Sequence, residues 1–393
     1  MEILKKLLSL ILTLSISLTL SGCWNYRELD SLEIVAGYAL DKDENGDYML
    51  TVEFAMPTPE GTLNTPYILT SKGKTIFDAI RNIILEKGRR AYWNHTKVII
   101  VSKEIAEEGM IPVIDVVFRN EELREDIYLI VSQEKTAREI FYRKLEESQG
   151  ERRVLSFDIE EAFKNGKLVA KFPLVHFYNF AEELEKEGVC PMLPTIRIEK
   201  EEGNANIVLG GAALFKKDKV IGYLNEYEAQ SIMFLKEKSI FAPMVVEVDD
   251  PLSEESNGRR RISFETLKIR SKVKPIVDNN KLLAQCNINM DLDVQDLVES
   301  EIEYLSKEGI SILEEAAEDK VKKRIEEAIA KAYKGYSCDI LGLGLKMKQQ
   351  NPDMWKELKS SWDKMLKELE TKIEVNVQIK GSSLYNKSIK VRE

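Results

Sequence analysis

The one long apolar run in this chain comes at its start, and it dictates where everything after it must fold. Lys5 and Lys6 precede a stretch from Leu7 to Leu20 relieved only by Ser and Thr, and Ser21-Gly22-Cys23 follows. Positive charge, a short apolar core and then small residues is the layout of a secretory leader. The run is about 14 residues long, short of the ~20 that a helix needs to span a bilayer, so it reads as a leader rather than a permanent span. Leu20-Ser21-Gly22-Cys23 has the form of a bacterial lipobox, in which the cysteine thiol takes a diacylglycerol and the chain is cut just before it. The alternative is a plain leader with a coincidental cysteine. Two acyl chains anchor stably where one is marginal, since each buried methylene contributes ~0.8 kcal/mol. The expectation is a lipoprotein signal peptide over residues 1–22, lipid attachment at Cys23, and a body held on the extracytoplasmic face of a membrane.

Losing the leader removes two of the 57 basic and one of the 67 acidic residues, moving the net charge from −10 to −11. An acidic body argues against a nucleic-acid partner and against broad adhesion to anionic lipid. With 393 residues the chain exceeds the size at which one core keeps growing, so two or three domains are expected. No stretch after the leader is long and apolar enough to cross a bilayer as a helix.

Along the chain, Glu33 to Leu40 and Asp47 to Met56 read as strands joined by the Asp43-Glu44-Asn45-Gly46 turn, a good hairpin signal. Pro57, Pro59, Gly61 and Pro66 then break regular structure. Thr75 to Lys87 reads as a helix closed by Gly88. Strands at Lys97–Ser102 and Ile127–Ser132 alternate with helical patterns, indicating an α/β region over residues 23–205, with a lobe boundary near 150. From 206 to 393 the pattern is α+β, with an antiparallel sheet, including alternating strands through Val273–Val277 and Leu282–Leu292, packed against long helices. The longest helical signal spans Gln295 to Tyr333, where Glu314, Glu318 and Lys322 are spaced as same-face pairs. Asn351 and Pro352 read as the N-cap and first residue of a helix. It carries Trp355, Leu358, Trp362, Met365 and Leu369 on one stripe, and a strand from Ile373 to Lys380 closes the chain. The fold class is thus mixed α/β and α+β, multi-domain.

Chemistry is sparse. There is no Gly-x-Ser-x-Gly elbow, Walker-type phosphate loop or His-Glu-x-x-His pair. His95 precedes a strand and reads as a hydrogen-bonded structural residue rather than a general base, which needs placed partners. Cys190, Cys286 and Cys338 are an odd number for an oxidising compartment: either one disulfide and a free thiol, or three reduced cysteines packed as small hydrophobes. Their spacings fit no zinc pattern, so neither a metal nor a cofactor is expected. Arg259-Arg260-Arg261 reads as a solvated cluster, since lipid-binding clusters run to ~4–8 basic residues. Gly210-Gly211 inside a strand reads as a bulge or packing contact.

Taken in order, these segments resemble the Ger(x)C family, the lipoprotein C-subunits of nutrient germinant receptors of endospore-forming bacteria. The likeness is carried by the lipobox with Cys23-Trp24 and Arg27-Glu28, by Asn94-His95-Thr96-Lys97, and by Ala106, Gly109 and Phe118-Arg119. It continues through Gly211-Ala212-Ala213-Leu214-Phe215, Asp218 to Leu224 and Asp339-Ile340-Leu341-Gly342-Leu343-Gly344. The Pro352/Trp355/Trp362 helix and Glu374-Val375-Asn376-Val377 complete it. Asn120 departs from the Asp that such sequences often carry after Arg119. The resemblance implies a non-catalytic, lipid-anchored subunit on the outer leaflet of the spore inner membrane, acting in receptor assembly and signal coupling with integral A-type and B-type subunits. Two alternatives remain open at this point: the solute-binding lipoprotein of a transporter, which usually has two similar α/β lobes, and a membrane-tethered hydrolase.

Overall fold

Two β-sheets organise the chain, and the apolar pattern of their strands separates them. The computed structural model describes residues 1–19, 32–57, 63–147, 153–201, 204–236, 241–249, 259–279, 281–296 and 306–381. The leader forms helix α1 (Glu2–Thr19), with Leu4, Leu8 and Leu12 exposed. Among the described residues no helix is long and apolar enough to cross a membrane.

The body opens with β1 (Leu32–Lys42), β2 (Tyr48–Pro57) and β3 (Leu63–Gly73), paired antiparallel in succession. The expected hairpin turn is present, with Asp43 Oδ1 accepting from the backbone of Asn45 and Asp47 at 3.0 and 3.1 Å. Strand β3 replaces the irregular segment expected around Pro66. It lies at the sheet edge, where a proline's missing N–H leaves no gap in the ladder. Helix α2 (Ile76–Lys87) is capped by the Thr75 hydroxyl, which accepts from Asp78 N. Then come β4 (Arg90–Tyr92), β5 (Val98–Val101), α3 (Lys103–Glu108), α4 (Ile111–Arg119), β6 (Tyr128–Ser132) and α5 (Arg138–Glu147). Next follow α6 (Leu155–Lys164), α7 (Phe177–Leu184), β7 (Met192–Glu201), β8 (Asn204–Lys216) and β9 (Lys219–Leu224). The strands assemble as β3-β2-β1-β5-β6-β7-β8-β9, with β4 beside β1, and β1, β5, β6 and β7 run parallel.

Both faces of this sheet are covered. Ile99, Val101, Leu129 and Val131 join α2, α3, α4 and α7 in one apolar cluster; Val98, Ile100 and Ile130 join α5 and α6 in another. Hence β5 reads Val-Ile-Ile-Val, buried at every position, as parallel strands between helical layers do. The expected lobe boundary near 150 is not one, because α5 and α6, on either side of it, cover the same face.

The second sheet holds β10 (Pro243–Asp249), β11 (Arg259–Asp278), β12 (Lys281–Asp296) and β13 (Glu370–Gly381), reached after helix α8 (Glu226–Lys236). Helices α9 (Lys307–Ile329), α10 (Leu343–Gln350), α11 (Pro352–Leu358) and α12 (Trp362–Lys367) lie between β12 and β13. That helical crossover lets β13 run parallel to β12, while the other two pairings are antiparallel as expected. Strand β12 alternates strictly: Leu282, Ala284, Cys286, Ile288, Met290, Leu292 and Val294 are buried and the residues between them are not. One face packs on helices and the other meets water.

Two helical expectations need correction. The long helix begins at Lys307, not Gln295, because Gln295 lies within β12 and the Ser306 hydroxyl caps the helix by accepting from Gly309 N at 3.0 Å. Val298, Ile302 and Leu305 lie outside the described residues. It ends in a π-helical turn, Ala330–Gly335. The Trp355 stripe is divided between α11 and α12, since Ser361 donates through both its N–H and its hydroxyl to Leu358 O and closes the first helix. Both tryptophans are buried, ring centroids 5.1 Å apart and edge to face.

The large sheet continues past residue 206 to Leu224, so the 205/206 division falls inside the β7–β8 hairpin and the sheets part between β9 and β10. The apolar cluster of the small sheet also takes in Cys190, Met192, Leu214 and Leu224 from the large one. One core therefore joins the two halves.

Candidate functional site

The junction of the halves is also where polar and aromatic groups converge. A cleft of about 550 Å³ opens between the loop after α7, the β8–β9 turn and the α11–α12 pair. Gly188, Cys190, Lys216, Asp339, Trp355 and Trp362 are among the residues lining it. Lys216 Nζ meets the Asp363 carboxylate at 2.7 Å, an ion pair from β8 to α12. Glu187 at the rim is held below the usual carboxylate range by Lys348, with Trp355 and Lys359 beside it.

Asp339 is the node beneath the cleft. Its Oδ1 accepts from the Tyr333 hydroxyl and Leu343 N at 2.8 Å each; its Oδ2 accepts from Gly344 N at 2.8 Å and Trp362 Nε1 at 3.2 Å. The two backbone donors begin α10, so the carboxylate occupies a helix N-terminus, where partial positive charge favours an anion. Burial pushes its pKa up, and the donors oppose that shift. Gly342 takes φ +63°, a conformation costly for other residues, which turns the chain so that the next two N–H groups face the carboxylate. Gly344 has a different reason: a Cβ there would lie 2.7 Å from the Trp355 ring and 2.8 Å from Gly188 Cα. The Gly-Leu-Gly segment thus begins helix α10.

With both oxygens engaged, Asp339 is placed to hold structure rather than to accept a proton. Cys190 Sγ accepts from Asp339 N at 3.0 Å, and burial pushes the Cys338 thiol well up. All three described cysteines are free and buried, and burial raises Cys286 to about 11, so neither Cys286 nor Cys338 presents a ready thiolate. His95 is exposed in a 3₁₀ turn beside Tyr92, and His176 Nδ1 lies 2.8 Å from Asp126 O. They stand on different elements, a 3₁₀ turn and the N-cap of α7. Among the described residues no group of three His, Cys, Asp or Glu side chains is placed to hold a metal. Arg259 and Arg261 face Glu247 and Asp249 on β10 in long, exposed pairs. Gly211, at φ +77°, sits where the β7–β8 register shifts, and its N–H donates to Lys171 O. Cys23 lies outside the described residues.

Two further buried carboxylates repeat the Asp339 arrangement in the large sheet. Asp41 on β1 accepts from Ala137 N and Arg138 N at 2.6 and 3.0 Å, at the start of α5. Glu53 on β2 accepts from Leu155 N, Ser156 N and the Ser156 hydroxyl at 2.8, 2.8 and 2.5 Å, at the start of α6. Desolvation raises them to about 6 and about 7. Sequence reading missed all three. Only Asp339, four and five residues from its backbone donors, left a local signal: an acid just ahead of Gly-x-Gly.

Comparison with known proteins places this architecture. Residues 25–198 match the family model "Spore germination protein N-terminal domain", and residues 210–383 match "Spore germination B3/GerAC like, C-terminal". Spore germination protein B3 of Bacillus subtilis (strain 168) is 22% identical, covering 92% of this chain and 94% of that protein. Spore germination protein KC of the same organism is 22% identical, covering 98% of each. The crystal structure of the GerBC protein superposes with a TM-score of 0.55 at 19% identity, over 88% of this chain and 97% of that one. With both halves matched, in order and over nearly the full length, the chain belongs to the Ger(x)C family of spore germination proteins.

Proposed function

We propose that this chain is the lipid-anchored, non-catalytic C-subunit of a nutrient germinant receptor. On this reading residues 1–22 are the leader and Cys23 carries a diacylglycerol. The body then sits on the outer face of the spore inner membrane beside integral A-type and B-type subunits. The observation that carries the reading is the full-length match to spore germination proteins, through both family models in order. The folded body is consistent with it, because the convergent polar groups of the cleft are engaged with one another: Asp339 with Tyr333, Gly344 and Trp362 inside the C-terminal half, and Lys216 with Asp363 between the halves. Anchoring raises the local concentration at the membrane, so weak contacts with partner subunits become occupied. The transporter alternative leads one to expect two similar α/β lobes, whereas here a large sheet covered on both faces adjoins a smaller one covered on one.

Spores lacking the chain should lose their response to at least one nutrient while still answering a cationic surfactant; an undiminished response to every nutrient would refute the role. Affinity capture of the full-length protein from spore membranes should bring down two integral proteins. For the anchor, Cys23→Ala should leave the precursor uncleaved and unlabelled by fatty acid.

A further inference from the structure

We infer that the end of the large sheet where β1 begins is the face that this protein lays against phospholipid headgroups. The inference rests on the anchor at Cys23 proposed above. Leu32, the first residue of β1, stands nine positions after Cys23, and nine residues reach about 30 Å at full extension. A folded body of this length is roughly 50 Å across. The tether is shorter than the body is wide, so the surface around Leu32 is kept near the bilayer.

Topology brings several helix ends to that surface. Leu32 pairs in register with Arg90, three residues after the end of α2. Strands β1, β5 and β6 run parallel, so the chain leaving α4 for β6 arrives at the same end. The start of α7 is tied there by Tyr178 N donating to Glu125 O and by the bridge between His176 and Tyr128. Three large side chains stand out from these helix ends: Leu85 is 83% exposed, Phe118 52% and Tyr178 48%. Aromatic residues with one apolar and one wet side suit the headgroup level. The guanidinium groups beside them face carboxylates of the same surface, Arg89 with Glu33 at 3.5 Å, Arg90 with Glu122 at 2.5 Å and Arg124 with Asp126 at 2.7 Å. Charge is thus balanced locally, and contact is made by shallow entry of apolar groups rather than by attraction to anionic lipid, in keeping with the net charge of −11 after the leader is removed. The opposite end of β1 carries the polar, exposed turn with Glu44 and Asn45.

The test labels single cysteines, Leu85→Cys, Phe118→Cys and, as the far-end reference, Asn45→Cys, in the full lipidated chain. Acylation blocks the Cys23 thiol, and the three body cysteines are buried. In phosphatidylcholine vesicles containing nitroxide-labelled phospholipid, dye at positions 85 and 118 should be quenched at least about threefold more than at 45, and added phosphatidylglycerol should not change the ratio. Equal or reversed quenching overturns the orientation. A ratio that appears only with phosphatidylglycerol overturns the apolar mode of contact. The same labelled chains are also made with Cys23→Ser and a hexahistidine before residue 24, held on nickel-chelating lipid. Lack of fatty acid on the natural chain would then sink the anchor alone, while quenching on the artificial tether still decides which face meets the membrane.

Discussion

The large sheet buries side chains on both faces and the small sheet on one, and that difference decides how each tolerates change. In β5 adjacent residues point into two separate cores; in β12 every second residue points at water. A parallel strand between helical layers has no neutral position, whereas a half-buried strand offers one at each alternate residue.

The largest expected effect tests the buried node that organises the helices packed beside the small sheet. Asp339→Ala strips the partner from Tyr333, Trp362 and two backbone donors at once, and should destabilise by about 3–5 kcal/mol in urea unfolding, as breaking a buried charged network does. A loss below about 1 kcal/mol would mean that these helices are held by apolar packing alone. The contrast between the sheets is sharpened by a four-variant series. Ile99→Ala and Ile100→Ala should each cost about 2–5 kcal/mol, because the first empties one core and the second the other. In β12, Ile288→Ala should cost as much, while its neighbour Asn287→Ala should stay within about 0.5 kcal/mol. A loss below about 1 kcal/mol at either position would break the two-core description.

Acidity probes the large sheet next. Glu53, raised by burial to about 7, and Asp41, raised to about 6, bind protons more tightly folded than unfolded. Their stabilising contribution is complete below the ordinary carboxylate range and is lost as pH rises through those values, roughly 3–4 kcal/mol for Glu53. Asp43, Glu187 and Glu374 are shifted the other way, by Lys72, Lys348 and Lys372, so they act only at lower pH. The thermal midpoint should therefore fall between pH 5 and about 8, and Glu53→Gln should flatten that decline; an unaltered pH profile in the variant would assign the slope elsewhere. The smallest effect belongs to the small sheet. Glu314 and Glu318 on α9 accept from Ile379 N and Val377 N at 2.9 Å each, covering the exposed edge of β13. Replacing either by Ala should cost about 1 kcal/mol, and the double change should promote self-association, seen by sedimentation.

Glu314 and Glu318 also mark how far the sequence could be read. Their spacing along a helix predicted same-face pairs with lysines, and the helix is there, but the carboxylates serve a strand some 60 residues onward. Cys286 and its alternating neighbours were legible as a half-buried strand, because the period-2 pattern records burial directly. Strand β3 was not, because Pro66 reads as a breaker unless the strand is known to lie at an edge. The cleft was invisible: it is built by elements from residues 183–191, 216–217 and 337–366, which no local pattern links.

What the sequence determined alone was whatever closes within a few residues: the Asp43–Gly46 turn, the Thr75 and Asn351 caps, and the strand alternation from Leu282 to Leu292. Those rest on hydrogen bonds between near neighbours and on which side of an element is wet, and both leave a periodic trace. The tertiary structure alone decided that β8 and β9 complete the large sheet, that Asp41 and Glu53 cap helices about 100 residues away, and that one core runs through both halves. Each of those depends on bringing distant segments together, and a buried carboxylate or an apolar residue looks the same in sequence whichever partner it will meet.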